Sequence, residues 1–183
     1  MLEEQRDIDP WFCDGLVVRE SRIHGMGLFT TLPISSGALV LRLGGSLFTN
    51  IERRSERIMP STSTPLSETV ILAEVVQGQK DLSDHLNHSC DPNAGFTDAL
   101  SIVAIRTIQE NTEITIDYTF WESDSTWELK RPCNCGCAIC RGNVTGTDWK
   151  RIQPSHTLFK FYSPFIRRRI RVFAEGGTIH ECK

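Results

Sequence analysis

The chain has 183 residues, 39% hydrophobic and 23% charged, with a net charge of −3 and seven cysteines. This suffices for one domain with a real core, holds no apolar run near the roughly 18 residues a membrane helix needs, and gives no global attraction to nucleic acid, so direct nucleic-acid binding is not expected. The polar, acidic start MLEEQRDIDP is no secretory signal, which predicts a chain inside the cell, cytoplasmic or nuclear, with no membrane contact.

Charge is unevenly spread. Lys150 to Arg171 carries seven basic residues and no acidic one, so the remainder holds a net −10. That acidic remainder fits either a basic substrate or an ordinary solvated surface. Nothing in the sequence fixes the oligomeric state.

Residues 1–13 form an N-terminal segment. GLVVRES (15–21), LFTTL (28–32) and ALVLRLGGSLF (38–48) are short apolar or alternating runs broken by Gly and Pro, and predict strands. TNIERRSERIMPSTSTPLSE (49–68) is polar, and predicts one helical turn and a loop in an insertion of about residues 49–80. TVILAEVV (69–76), SIVAIRTI (101–108) and EITIDYTF (113–120) again predict strands. Such close spacing implies a β-dominated core rather than alternating βαβ units.

In HTLFKFYSPFIRRRIRVF (156–173), Pro164 can start a helix that places Phe165, Ile166, Ile170 and Phe173 on one face. A C-terminal helix packed on the core with its arginines in water follows; a substrate or nucleic-acid surface is the alternative. No internal repeat is visible.

Two stretches carry chemistry. LNHSCDPN (86–93) sets Asn87, His88 and Cys90 before a turn, as a nucleophile with its base, a metal half-site or a polar loop. Residues 133–140 read C-x-C-G-C-x-x-C, and clustered thiolates suit tetrahedral zinc. Cys133, Cys135 and Cys137 lie two apart, so all four cluster thiols on one ion is awkward. Three local thiolates plus a distant one is more natural. Cys90 is the first candidate for the distant ligand, Cys13 and Cys182 are alternatives, and a free buried Cys90 remains open. Closing the span from Cys90 to Cys133 costs roughly 3 kcal/mol plus a constant, against the roughly 10–16 kcal/mol that structural zinc supplies.

SRIHGMGLFTT (21–31), LNHSCDPNAGF (86–96), EITIDYTF (113–120) and CNCGCAICRG (133–142), in this order, resemble the SET domain with its cysteine-rich post-SET tail, the protein lysine methyltransferase family. The resemblance covers about residues 14–144. It implies small curved β-sheets around a pseudoknot, with short helices: a SET domain over 14–125, a post-SET zinc-binding segment over 126–145 and a helical extension over 146–183. It also implies S-adenosylmethionine as methyl donor and a lysine-bearing protein or peptide, such as a histone tail, as substrate. His24, Gly25, Met26 and Gly27 match the cofactor loop, Asn87 and His88 the pair that contacts the cofactor, and Tyr118 the active-site tyrosine, which also borders the cofactor. Cys90, Cys133, Cys135 and Cys140 match the ligands of one structural zinc, and Val144 falls near the adenine-packing position. Leu43, Ile116 and Phe120 fall along the substrate channel.

The chain also departs from the family. Leu43-Gly44-Gly45 stands where many members have Tyr-x-Gly, Ile116 where many have Phe or Tyr, Asp84-His85 where Arg-Phe is common, and Cys137 is an extra thiol. Ile116 leaves no hydroxyl to hold a water, which implies room for more than one methylation. A SET fold that binds partners without turnover is the competing expectation. A cysteine hydrolase built on Cys90 and His88 is a third, weakened because the two are only two positions apart and no orienting acid is evident.

Overall fold

The computed structural model describes residues 7–59, 62–75 and 80–179. Among them, short strands form three sheets. The strands are β1 (Asp7–Ile8), β2 (Trp11–Phe12), β3 (Leu16–Glu20), β4 (Met26–Thr30), β5 (Leu39–Arg42), β6 (Gly45–Thr49), β7 (Thr64–Pro65), β8 (Val70–Ala73), β9 (Asn87–His88), β10 (Ala94–Phe96), β11 (Ser101–Ala104) and β12 (Thr115–Ile116). One sheet runs β1-β6-β8-β7, a second runs β2-β5-β11-β10-β12-β9, and β3 and β4 form a hairpin. The β-dominated expectation holds. β12 pairs in parallel with both β9 and β10, Ile116 opposite His88 on one side and Ala94 on the other, so the NHS and Asp-Tyr stretches lie side by side.

Several expected strands are shorter than their apolar runs, for local reasons. ALVLRLGGSLF splits into β5 and β6, which belong to different sheets. Gly45 has φ of +123°, and a Cβ on Gly44 would stand 2.6 Å from Pro10. The chain can therefore turn and pass under the N-terminal segment only without side chains there. EITIDYTF keeps just two strand residues, because Asp117 caps a 3-10 turn over Tyr118–Phe120, its Oδ1 accepting from Thr119 N at 3.0 Å. SIVAIRTI is a strand to Ala104, and Ile108 then bridges to Ile34. TVILAEVV is a strand over Val70–Ala73, and its last residue lies outside the described residues. The single turn expected in the insertion is a 3-10 turn at Asn50–Arg54.

Helix α1 (Pro164–Ala174) begins as expected, with Pro164 at its first turn and Ser163 Oγ accepting from Ile166 N at 3.3 Å. Phe165, Ile166 and Ile170 join Leu28, Val40, Leu41, Phe96, Ile116 and Phe120 in one buried cluster, so the extension shares the core of the strands. Phe173 stays 45% exposed, edge-on to Trp149 at 5.9 Å. The expectation that the helix keeps all its arginines in water needs correcting. Arg169 is buried, with its guanidinium 4.9 Å from the Phe165 ring centre and 5.5 Å from that of Trp149, and its Nη2 2.8 Å from Glu68 Oε2. A planar, weakly hydrated guanidinium can stack on rings while it forks onto a carboxylate, which spares it the cost of lone burial.

Candidate active site and metal centre

The β3–β4 hairpin ends in a tight turn, Ser21 N donating to Gly25 O at 2.8 Å with Gly25 at φ +47°. Asn87 holds this loop. Its Nδ2 lies 3.0 Å from His24 O, 3.2 Å from Met26 O and 2.8 Å from Glu113 Oε1. Ser21 Oγ donates to the same carboxylate at 2.8 Å. The Nδ2 of Asn87 is thus committed to the protein, and it shapes the 24–27 loop from behind.

Tyr118 lies beside that loop. Its hydroxyl donates to Leu86 O at 2.9 Å, its backbone N donates to His88 Nδ1 at 3.2 Å, and its ring meets Trp121 at 5.0 Å and Trp127 at 6.1 Å. Burial pushes its pKa up to about 12, so the phenol is neutral at physiological pH. A cavity of about 840 Å³ opens here, bordered by His24, Leu43, Asn87, His88, Tyr118 and Trp127 and closed on one side by the tail residues 129–134. Its volume and its mix of rings with a few polar groups suit a nucleoside-sized ligand plus a side chain. The tail is fastened across it, with Asn134 Nδ2 donating to Arg22 O at 2.9 Å.

The Sγ atoms of Cys90, Cys133, Cys135 and Cys140 all lie within 4.8 Å of one another. A tetrahedral zinc with bonds near 2.3 Å spaces its sulfurs about 3.8 Å apart, so four thiols this close fit one ion. Cys90 Sγ also accepts from Arg141 N at 3.4 Å, the kind of bond that favours a thiolate. Cys137 stands outside the quartet, its Sγ 3.4 Å from that of Cys135. Of the other distant candidates, Cys13 pairs its backbone N with Val40 O, away from the cluster, and Cys182 lies outside the described residues.

His88 joins the two centres. Its Nδ1 accepts from Tyr118 N, which leaves the proton on Nε2, 3.3 Å from Cys90 Sγ. Desolvation pulls its pKa down to about 4, so it is a neutral donor. Asp117 Oδ1 does approach His88 Nδ1, at 3.7 Å, so an acid stands nearer than the sequence suggested. A hydrolytic triad is still not formed. The proton sits on the nitrogen that should accept from the thiol, Cys90 is buried, and Asp117 is engaged by Arg141 at 2.7 Å through both oxygens.

Of the expected site residues, the structure brings together Tyr118, Asn87, His88 and the 24–27 loop, and separately Cys90, Cys133, Cys135 and Cys140. Leu43 borders the cavity. Ile116 and Phe120 do not border it; both are buried, Phe120 against Tyr162 at 4.5 Å. Val144 is also buried, its carbonyl accepting from Leu129 N at 2.9 Å, so it fixes the tail and does not border the cavity either. Sequence reasoning missed Ser21, Glu113, Trp121, Trp127, Asp117 and Arg141. Charged residues flanking the quoted motifs were the available signal, since a carboxylate beside a buried motif needs a partner.

A family model described as SET domain matches residues 25–119. The chain is 29% identical over 154 residues to the histone-lysine N-methyltransferase trithorax of Drosophila virilis, covering 77% of this chain and 4% of that protein. It is 30% identical over 165 residues to the histone-lysine N-methyltransferase TRX1 of Oryza sativa subsp. japonica, covering 81% and 15%. With the human histone-lysine N-methyltransferase 2D it shares 28% identity over 142 residues, covering 70% and 2%. The chain therefore spans only a small part of the length of these curated relatives.

Proposed function

This chain belongs to the SET domain family, and on that premise we propose that it is a protein-lysine N-methyltransferase that uses S-adenosylmethionine and acts on a histone tail. The observation that carries the proposal is the setting of Tyr118. A neutral phenol faces an aromatic-walled cavity, beside the loop held by Asn87 and under a tail gathered by four thiols. When bound, S-adenosylmethionine supplies an electrophilic methyl group and zinc a charge that gathers the thiolates.

The substrate amine must be neutral to attack. Lysine's ordinary pKa of about 10.4 leaves roughly one molecule in 2,500 neutral at pH 7, a handicap of about 4.6 kcal/mol. Burial between Tyr118, Trp121 and Trp127 lowers that pKa by desolvation. Tyr118 is no base; its proton is spent on Leu86 O, so its remaining lone pairs can accept from the amine and orient it. Backbone carbonyls around the channel supply weak C–H···O contacts. His24 to Gly27, Asn87 and His88 hold the donor side, and Cys90, Cys133, Cys135 and Cys140 hold one zinc that anchors the tail across the cavity. Leu43 lines the lysine channel. The domain limits are those of the motifs, with the SET domain at 14–125, the post-SET segment at 126–145 and the extension at 146–183, and the site of action is the nucleus.

The test is methyl transfer from labelled donor to purified histones. Wild type labels histone protein, whereas Tyr118→Phe falls by at least a hundredfold while S-adenosylhomocysteine binding survives. A Tyr118→Phe variant as fast as wild type overturns the role of the hydroxyl. A wild-type protein that binds the donor product but labels no protein substrate would instead favour a binding module, the reading that Leu43 in place of an aromatic supports.

A further inference from the structure

Arg141 follows the last thiol of the quartet and reaches back into the body of the domain. Its Nη1 and Nη2 donate to Asp117 Oδ2 and Oδ1, both at 2.7 Å, and its Nε lies 3.5 Å from Asp148 Oδ2. Both carboxylates are about 4% exposed, and Asp117 directly precedes Tyr118. Asp117 Oδ1 also accepts from Thr119 N at 3.0 Å and Thr119 Oγ1 at 2.9 Å, which shapes the turn that carries Tyr118. Among the described residues, Arg141 is the guanidinium paired with Asp117, through both of its terminal nitrogens.

The contacts close a ring. Arg141 N meets Cys90 Sγ, Cys90 Sγ meets His88 Nε2, His88 Nδ1 meets Tyr118 N, and Asp117 returns to the Arg141 guanidinium. We infer that Arg141 is a positioning residue, which fixes the peptide carrying Tyr118 through a bidentate pair with Asp117 and does so when the metal-held tail is docked. Its role in turnover rests on the methyltransferase reading above; its coupling to the metal does not. A bidentate fork sets both distance and plane, so it can hold a backbone turn where a single-point ammonium cannot. Two groups that share one latch also influence each other reciprocally, so Asp117 must affect how firmly the tail retains zinc although it is not a ligand.

The experiment uses the zinc-loaded chain and three variants, Arg141→Ala, Arg141→Lys and Asp117→Asn, the last preserving the shape and the Thr119 contacts. The first readout is the half-time for zinc removal by excess EDTA. It should shorten at least fivefold in Arg141→Ala and in Asp117→Asn, and the double variant should be no faster than either single one. The second is histone-peptide methylation at full zinc content. There Arg141→Ala should lose at least tenfold in kcat with KM within about threefold, and Arg141→Lys should recover only part of the loss. Wild-type half-times in both single variants, or additive effects in the double one, overturn the latch. A wild-type kcat in Arg141→Ala at full zinc content makes Arg141 a metal-retention residue and overturns the positioning role. Absence of methylation in the wild type refutes the proposed function, and with it the positioning of Tyr118 for turnover, and leaves the zinc half-times to decide the latch.

Discussion

Glu113 closes over Gly27 so tightly that a Cβ on the glycine would overlap the carboxylate oxygen Oε1. The same carboxylate receives Ser21 Oγ and Asn87 Nδ2, so three parts of the chain meet at a contact that a side chain on Gly27 would have to displace. Gly27→Ala would push Glu113 aside and leave the Ser21 hydroxyl short of its acceptor, while Asn87 Nδ2 would keep His24 O and Met26 O. An unsatisfied group of this kind costs about 1–3 kcal/mol. The expected result is a loss of that size in chemical denaturation and about tenfold weaker binding of S-adenosylhomocysteine by calorimetry. Gly27→Ala with unchanged affinity would show that the loop is not held this way.

Zinc content separates ligands from bystanders. Cys90→Ser should lower bound zinc from about one ion per chain to well below it after dialysis, and let protease cut near residues 129–145. Cys137→Ser should keep the full ion, because its sulfur stands outside the quartet. Equal zinc in all three proteins, measured by plasma mass spectrometry, would refute the assignment of Cys90. Structural zinc contributes on the order of 10 kcal/mol to folding, so removal should also lower the melting temperature sharply.

The thiol quartet was legible in the sequence because thiolate chemistry leaves few alternatives for closely spaced cysteines, and the four thiols brought together are the ones the resemblance implied. The strand content was legible too, from alternation in stretches such as GLVVRES. What stayed hidden depends on long-range partners. Whether EITIDYTF continues as a strand is decided by Asp117 bonding Thr119, a capping choice that outweighs β propensity. That Asn87 Nδ2 is held against the 24–27 loop depends in part on Glu113, 26 residues away. Ile116 and Phe120 follow from motif position alone, and both lie in the buried cluster and not along the cavity.

Arg169 offers a stability test remote from the cavity. It is sandwiched by Phe165 and Trp149 and paired with Glu68, which also meets Arg168 at 2.9 Å. Arg169→Ala removes the stacking and one of the two partners of Glu68, at about 2–3 kcal/mol. Arg168→Ala, on the exposed member of the same pair, should cost under about 1 kcal/mol. Thermal melts should therefore separate the two by roughly 3–10 °C. Equal melting points would mean that the stacked guanidinium contributes nothing.

The chain has only two tyrosines, which makes a pH test direct. Burial raises the pKa of Tyr118 to about 12 and raises that of Tyr162 as well. A raised folded pKa means the unfolded chain releases its phenolic protons first, near pH 10. The stability linked to these groups is therefore fully present below pH 10 and is lost as pH rises through about 12. Absorbance at 295 nm should show almost no phenolate in the native protein at pH 10.5, and a midpoint near 10 for both rings in guanidinium chloride. Methyl transfer should accordingly keep rising between pH 8 and 10 as the substrate amine deprotonates, with no descending limb from Tyr118. A native phenolate midpoint at 10 would place the Tyr118 hydroxyl in water, where it could not hold an amine in a dry channel.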